Sequence, residues 1–343
     1  MNDQSSVVSL AEAARFYPAP GNRRAYLQQP CDTRIVVAQP DLKFQLCNTR
    51  AAGFKTGFGF VLLVDGKPVS FDFERVEQRF DDGALPLLSQ RVSQAGFHFY
   101  LESFTTRDRQ GRGVVMLRLT VWRQAAEPAA VDVGFLMTRA TGGMYSNEDY
   151  IPFEAWGAAW EKPFPWQGNT TCLHDGAFLL ASCQHTAGVE RRAPASPSTN
   201  SVAWAFHVQP RRDAPETIEI RVPYEGRSQP AGVNDKGLDF QSDPASSLAQ
   251  QGELDSLSFE GEKQRQRLHW LEKLVRGTRI EVPEPTVQEV YRTLTLNNLQ
   301  FMGGAHDSTL LASNDTSRGL IQIFFCASST TTSSSVRQRS QIA

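Results

Sequence analysis

The stretch FHFYLESFTTRDRQGRGVVMLRLTVWR, residues 97–123, contains two β-rich runs joined by a polar connection. The runs at 97–107 and 113–123 are rich in β-branched and aromatic residues, which favour extended strands. Between them, residues 107–111 read RDRQG and have the composition of a hairpin turn. In the second run Val115, Leu117, Leu119 and Val121 alternate with other residues, so we expect one face of that strand to be buried more completely than the other.

The same pattern extends from about residue 30 to residue 225. Short β-rich runs alternate there with turns rich in Gly, Pro, Asp and Asn, which is typical of an antiparallel sandwich. Asp65-Gly66 is a strong hairpin signal because both residues tolerate a positive φ. The number of runs exceeds that of a small immunoglobulin-like sandwich and predicts a larger assembly of two sheets. The candidate strands are 34–39, 58–76, 97–107, 113–123, 130–139, 176–186, 201–209 and 217–224.

The hydrophobic period changes after a linker-like segment at 225–247 that is rich in Gly, Pro, Ser and Asp. Residues 261–277 read GEKQRQRLHWLEKLVRG and predict a helix that Gly277 can cap. Its apolar residues follow a spacing of three to four, so we expect them to form its buried face. These residues are Leu268, Leu271, Leu274 and Val275.

A second helix is predicted in IEVPEPTVQEVYRTLTLNNLQFMGG, residues 280–304. Thr286 and Glu289 have the spacing of a capping box, and a helix is expected from Thr286 to about Gly303. Its apolar residues recur at helical spacing. They are Val287, Val290, Tyr291, Leu294 and Phe301.

The remaining residues, 304–343, show neither the strand-like nor the helix-like pattern of apolar residues. Eight consecutive Ser and Thr residues at 328–335 cannot bury enough apolar surface to offset the entropy of ordering them. We therefore expect a low-complexity, disordered tail, and we hypothesise that it is out-of-frame or truncated sequence. The predicted organisation is an N-terminal extension at 1–29, a β domain at 30–247, a helical linker with a further helix at 248–303, and this tail.

Composition narrows the classes of partner. The 343 residues carry a net charge of −2, so no basic excess is present to neutralise nucleic acid or an anionic membrane. No apolar run is long enough for a membrane span or a signal peptide, so we expect a soluble and by default cytoplasmic protein. Secretion is the alternative if a leader precedes residue 1. The five cysteines contain no CxxC pair, and the sequence has no motif for a metal or a cofactor. We therefore expect neither a bound metal nor a cofactor.

A large β domain, a helical linker and then GTRIEVPEP at 277–285, VYR at 290–292 and Asn297-Asn298 resemble the six-hairpin glycosidase superfamily. The resemblance implies a β-supersandwich followed by an (α/α)6 barrel. In that superfamily the barrel carries the catalytic carboxylates and the sugar pocket. Twelve barrel helices would need more than about two hundred residues. Only the first barrel helix is recognisable in this sequence.

The resemblance therefore implies the N-terminal, non-catalytic β domain of an enzyme that hydrolyses or phosphorolyses glycosides. No catalytic residue can be assigned from it, and the chain itself is expected to be catalytically incompetent. Its expected partner is an oligosaccharide or polysaccharide.

An aromatic segment at 144–166 is the strongest candidate for contact with that carbohydrate. Sugars stack their C–H faces on aromatic rings, and carboxylates accept hydrogen bonds from hydroxyls. The alternative is that these aromatic residues pack on the sandwich or on a barrel. The candidate substrate-binding residues are Tyr150, Trp156, Trp160, Trp166 and Glu154.

Two other functions remain open. One is a carbohydrate-binding or assembly sandwich without catalytic activity, which could associate as a homodimer. The other is a mutarotase-like epimerase, in which a histidine protonates a sugar ring oxygen and a carboxylate takes the anomeric proton. The histidines available for it are His98, His174 and His185, and the nearest acids in sequence are Glu102 and Asp175.

Overall fold

The structure is a computed structural model of the 343-residue chain. It describes residues 25–27, 29, 34–48, 54–109, 111, 113–124, 129–138, 166–167, 170–174, 178–192, 202–210, 214–224, 251–276, 287–288 and 291–296. The predicted tail at 304–343 and most of the aromatic segment lie outside these residues.

Sixteen strands of the described chain form two antiparallel sheets of eight strands each. Sheet A has the order β1-β2-β3-β4-β10-β15-β14, and β5 pairs with β4. Its strands are β1 (Ala25–Leu27), β2 (Arg34–Ala38), β3 (Lys43–Asn48), β4 (Phe54–Val64), β5 (Lys67–Val69), β10 (Val131–Thr138), β14 (Val189–Arg192) and β15 (Val202–Val208).

Sheet B has the order β11-β12-β13-β16-β9-β8-β7-β6. Its strands are β6 (Glu77–Asp81), β7 (Leu85–Gln94), β8 (Phe97–Arg107), β9 (Gly113–Arg123), β11 (Trp166–Gln167), β12 (Thr170–His174), β13 (Phe178–His185) and β16 (Glu216–Tyr224).

The predicted hairpins are confirmed. β8 and β9 pair along their whole length, with Leu101 opposite Leu119. Asp65 and Gly66, between β4 and β5, have φ values of 51° and 74°, as a turn with two left-handed residues requires.

The main core lies between the two sheets and is built from the inward-facing residues of both. In sheet A the Phe135 ring packs edge-on against Phe60, with centroids 5.4 Å apart, and lies 5.8 Å from Trp204. In sheet B the inward residues of β8 and β9, such as Phe99 and Leu119, are fully buried in the same cluster.

Two helices follow the strands, α1 (Gln251–Ser256) and α2 (Phe259–Arg276). They pack on the outer face of sheet B, where a second apolar cluster joins Phe104 and Met116 to Phe259 and Trp270. Residues 287–288 and 291–296 are also helical, and Leu296 is buried in this second cluster. The predicted fold class, a mainly antiparallel β-sandwich with a small helical part, is therefore confirmed.

The helices change two details of the predicted burial. Residues 113–122 of β9 are buried on both faces, because one face meets sheet A and Met116 and Arg118 on the other lie against α2. In α2 the buried residues are Phe259, Gln266 and Trp270, whereas Leu268 and Val275 are exposed. The predicted strip is therefore only partly the buried one, since Leu271 and Leu274 pack against the second cluster whereas Leu268 and Val275 do not.

The first strand of sheet A lies within the predicted N-terminal extension. This strand, β1, pairs with β2, with Tyr26 opposite Val37.

Among the described helices, none has the length and apolar character that crossing a membrane requires.

Candidate functional site

Buried and partly buried polar side chains lie between the helices α1 and α2 and the outer face of sheet B, a contact that we call the helix–sheet interface. Because residues alternate along a strand, Phe99 and Leu101 of β8 face the core while Glu102 and Thr106 face the helix. The interface comprises Glu102, Thr106, Arg118, Ser182, Gln184, Glu219 and Arg221 from sheet B, with Asp255, Glu260, Glu262, Lys263 and Gln266 from α1 and α2.

Arg118 connects three elements of this interface. Its Nη2 donates to Glu219 Oε1 at 2.7 Å within sheet B, and its Nη1 donates to Glu260 of α2. The guanidinium carbon also lies 4.0 Å from the centre of the Phe259 ring. A planar cation that pairs with carboxylates and stacks on an aromatic ring fixes the position of a helix in direction as well as in distance.

Glu102 is the most deeply buried carboxylate of the interface, with 2% of its surface exposed. It forms an ion pair with Lys263 of α2, and Arg118 Nη1 lies 4.0 Å from its other oxygen. Burial raises the pKa of the Glu102 carboxyl, although Lys263 and Arg118 act in the opposite direction. Burial alone would lower the pKa of Arg118, but Glu219 and Glu260 outweigh it and raise that pKa.

Arg221 performs the corresponding role at α1. Its Nε donates to the Leu257 carbonyl at 3.0 Å, and its Nη2 donates to Gln184 Oε1 at 2.9 Å. Ser182 donates to Asp255 of α1 nearby. The segment that joins the two helices is thereby held on β16 and β13.

Three side-chain amide and hydroxyl groups connect the chain near β1 to α2. Gln29 Nε2 donates to the Thr105 carbonyl at 2.7 Å and to Gln266 Oε1 at 2.9 Å. Gln266 Nε2 in turn donates to Thr106 Oγ1 at 3.0 Å. These bonds explain why a glutamine occupies the buried face of α2, since its polar atoms are satisfied.

The chemistry of the interface is that of a structural contact. General acid–base catalysis needs a carboxyl or imidazole group that can reach a substrate. Here Glu102, Glu219 and Glu260 each face a lysine or an arginine between the sheet and the helix. We therefore assign these charges to holding the helix in place.

The candidate substrate-binding residues of the aromatic segment remain a prediction. Tyr150, Glu154, Trp156 and Trp160 lie outside the described residues. Trp166 is the first residue of β11, and its backbone pairs with Thr171 of β12.

The histidines considered for a mutarotase-like site lie apart on sheet B. His98 Nδ1 lies 2.6 Å from Ser93 Oγ on the outer face of β8, and burial together with Arg91 lowers its pKa. His185 is exposed at the end of β13 and contacts the Phe206 ring of sheet A. His174 is the last residue of β12. Glu102, on the same strand as His98, is engaged by Lys263.

The part of the chain that the structure describes also contains possible metal ligands and a cysteine thiol. No cluster of three His, Cys, Asp or Glu side chains there could hold a metal ion. Cys183 is a free, buried thiol, and burial raises its pKa.

The helix–sheet interface could have been recognised from charged residues in the sequence, although the periodicity of apolar residues does not show it. Glu102 and Arg118 are single charges at the centres of long apolar strands, and they are placed opposite each other in the β8–β9 register. Such a pair indicates a charged partner above the sheet, whereas the identity of Lys263 and Glu260 as those partners requires the tertiary structure.

No family model matches the sequence, and no curated protein is significantly similar to it. Among solved structures, a candidate kojibiose phosphorylase from the human microbiome is similar with a TM-score of 0.43 and 6% identity over 80% of this chain. The chain spans 39% of the length of that protein. These values are too low to establish a shared fold or function.

Proposed function

We propose that this chain is the non-catalytic β-sandwich and helical linker of a carbohydrate-active enzyme of the glycosidase type. In this role the sandwich is a rigid support, and α2 sets the position of the helical residues that follow it. Cleavage or phosphorolysis of glycosides would belong to a catalytic helical domain and not to the described residues.

The observation that carries the proposal is the attachment of α2 to sheet B. Lys263 and Glu260 pair with Glu102 and Arg118, and Trp270 is buried in the apolar cluster beneath the helix. Leu296, in the next helical stretch, is buried in the same cluster. A helix fixed by both charge and packing suits a linker that must present a second domain in one orientation.

The resemblance of residues 277–298 to the six-hairpin glycosidases supports the same role. That segment begins directly after α2 ends at Arg276. The order of a large sandwich, an attached linker helix and then a helical segment is the order that the resemblance implies.

The direct test is a glycoside assay with the purified 343-residue protein. A panel of α- and β-linked disaccharides and aryl glycosides is incubated with and without inorganic phosphate, and released sugar is measured. We expect no turnover above a blank. Turnover that disappears when a carboxylate of the described residues is changed to its amide would overturn the proposal.

A further inference from the structure

A groove at one end of sheet B is separate from the helix–sheet interface. It has a cavity volume of about 430 Å³, which lies within the roughly 300–1,000 Å³ range of small-molecule sites. Val92, Ala95 and Gly96 line part of it, and the remaining lining side chains are polar or charged and come from the segments around β6, β7 and β9. They are Arg75, Glu77, Arg91, Ser93, Gln94 and Gln124.

The backbone around the groove is well defined. Ala95 and Gly96 form the β7–β8 turn with φ values of 54° and 80°. The Gln124 N–H donates to the Gly96 carbonyl at 3.0 Å, which joins the end of β9 to this turn. The groove is therefore formed by hydrogen-bonded strand ends, which can hold a ligand with little reorganisation.

Partners orient several of the lining side chains. Arg75 Nε lies 2.9 Å from Asp72 Oδ2, and Arg91 pairs with Glu77. Gln94 Oε1 accepts a hydrogen bond from the Asp72 N–H at 2.9 Å. In each case one end of the group is fixed, while other polar atoms of Arg75, Gln94 and Glu77 have no hydrogen bond within the described residues.

Charge decides which class of ligand suits the groove. Each arginine of the groove is paired with an acid, Arg91 with Glu77 inside the groove and Arg75 with Asp72 beside it, so little unpaired positive charge is left to attract an anion. The groove nevertheless offers donors on Arg75 and Gln94 and an acceptor on Glu77. Neighbouring hydroxyl groups, which both donate and accept, match such a mixed set of planar groups.

We infer that this groove is a binding site for a neutral saccharide unit, whose hydroxyls bond to Arg75, Gln94, Gln124 and Glu77. The lining groups favour a neutral, hydroxyl-rich ligand, and the choice of a saccharide within that class rests on the proposed function. The site is non-catalytic and adds a carbohydrate contact to the sandwich itself. It also differs from the aromatic segment at 144–166, so the two contacts can be tested separately.

The test is a titration of the 343-residue protein with maltose, cellobiose and trehalose. Binding is measured by isothermal titration calorimetry or by saturation-transfer NMR. We expect saturable binding of at least one of these sugars. Arg75→Met removes the donors and keeps the aliphatic stem, and we expect it to weaken binding about tenfold or more. Gln124→Ala, at an exposed position, should weaken it by a smaller factor.

The matched control is Arg192→Met, because Arg192 is also an exposed arginine that pairs with a nearby acid, Glu190, but lies on β14 of sheet A. The affinity of the Arg192→Met variant for these sugars should equal that of the wild type. No saturable sugar binding, or equal binding by the Arg75 and Arg192 variants, overturns the inference. Tighter binding of glucose 6-phosphate or glucuronate than of neutral sugars also overturns it. The glycoside assay is unaffected by these results, so failure here is distinguishable from failure of the proposed function.

Discussion

Lys263 of α2 forms an ion pair with Glu102 of β8, although 161 residues of chain separate them. The pair joins α2 to a central strand of sheet B. Its partner charges, Arg118 and Glu260, lie beside it, so the helix and the sheet share one small electrostatic network.

Removing Lys263 should destabilise the protein. In Lys263→Met, Glu102 keeps only the more distant Arg118, and we expect a loss of about 1–3 kcal/mol in the free energy of unfolding, measured by urea denaturation. Arg276→Met is the control, because its exposed pair with Glu272 should contribute less than about 0.5 kcal/mol. Equal effects of the two variants would contradict the assignment of Lys263 to the interface.

The pH dependence of stability should report Glu102. Because its pKa is raised in the folded protein, the folded state holds this proton at pH values where the unfolded state has released it. Stability from this group is therefore highest below the ordinary glutamate range, roughly pH 4 to 5, and falls as pH rises towards the folded-state pKa.

Glu102→Gln removes this titration and so provides the measurement. The free energy of unfolding of the variant, relative to that of the wild type, should increase as pH rises from about 4.5 upward. Glu190→Gln is the comparison, since the pKa of the exposed Glu190 is lowered by Arg192. A difference between wild type and Glu102→Gln that does not change with pH would show that Glu102 titrates normally.

The buried face of α2 can be tested by a pair of substitutions. Trp270 is 1% exposed in the cluster beneath the helix, and Trp270→Ala should cost about 3–5 kcal/mol of stability. Leu268 is 66% exposed, so Leu268→Gln should change stability by less than about 0.5 kcal/mol. Thermal and urea unfolding measure both, and a larger effect at Leu268 would mean that the helix packs on the face that carries Leu268.

Gly59 of β4 should tolerate no side chain. Its φ is 147°, and an added Cβ would lie 2.6 Å from both the Leu42 carbonyl oxygen and the Lys43 Cα. We expect Gly59→Ala to cost at least about 2 kcal/mol, since the obstructing atoms belong to the backbone. Gly66→Ala is the control: it shares a positive φ but meets no atom within 4 Å, so only the cost of the left-handed conformation, about 1–2 kcal/mol, should appear. Similar unfolding curves for the two variants would contradict the close approach at Gly59.

Several strands could not be predicted from period alone. β7 carries Gln90 among its inward-facing residues, and this side chain is buried because its Nε2 donates to the Gln39 carbonyl at 2.8 Å. β3 similarly begins with the buried Lys43, whose Nζ donates to Ser70 Oγ at 2.8 Å. A polar residue on the buried face hides a strand from a hydrophobicity pattern, because its partner is supplied by another part of the chain.

The sequence by itself determined the class of fold and its local turns. Alternation in 97–123 specified a hairpin, Asp65-Gly66 specified a turn, and the change of period after residue 247 specified a helix, since each depends only on neighbours along the chain. Tertiary structure alone decided which face of that helix is buried. Trp270 and Gln266 face the sheet, and Leu268 does not, because the surface beneath α2 is made of Phe104, Thr106 and Arg118, whose place was set by a strand pairing more than a hundred residues earlier.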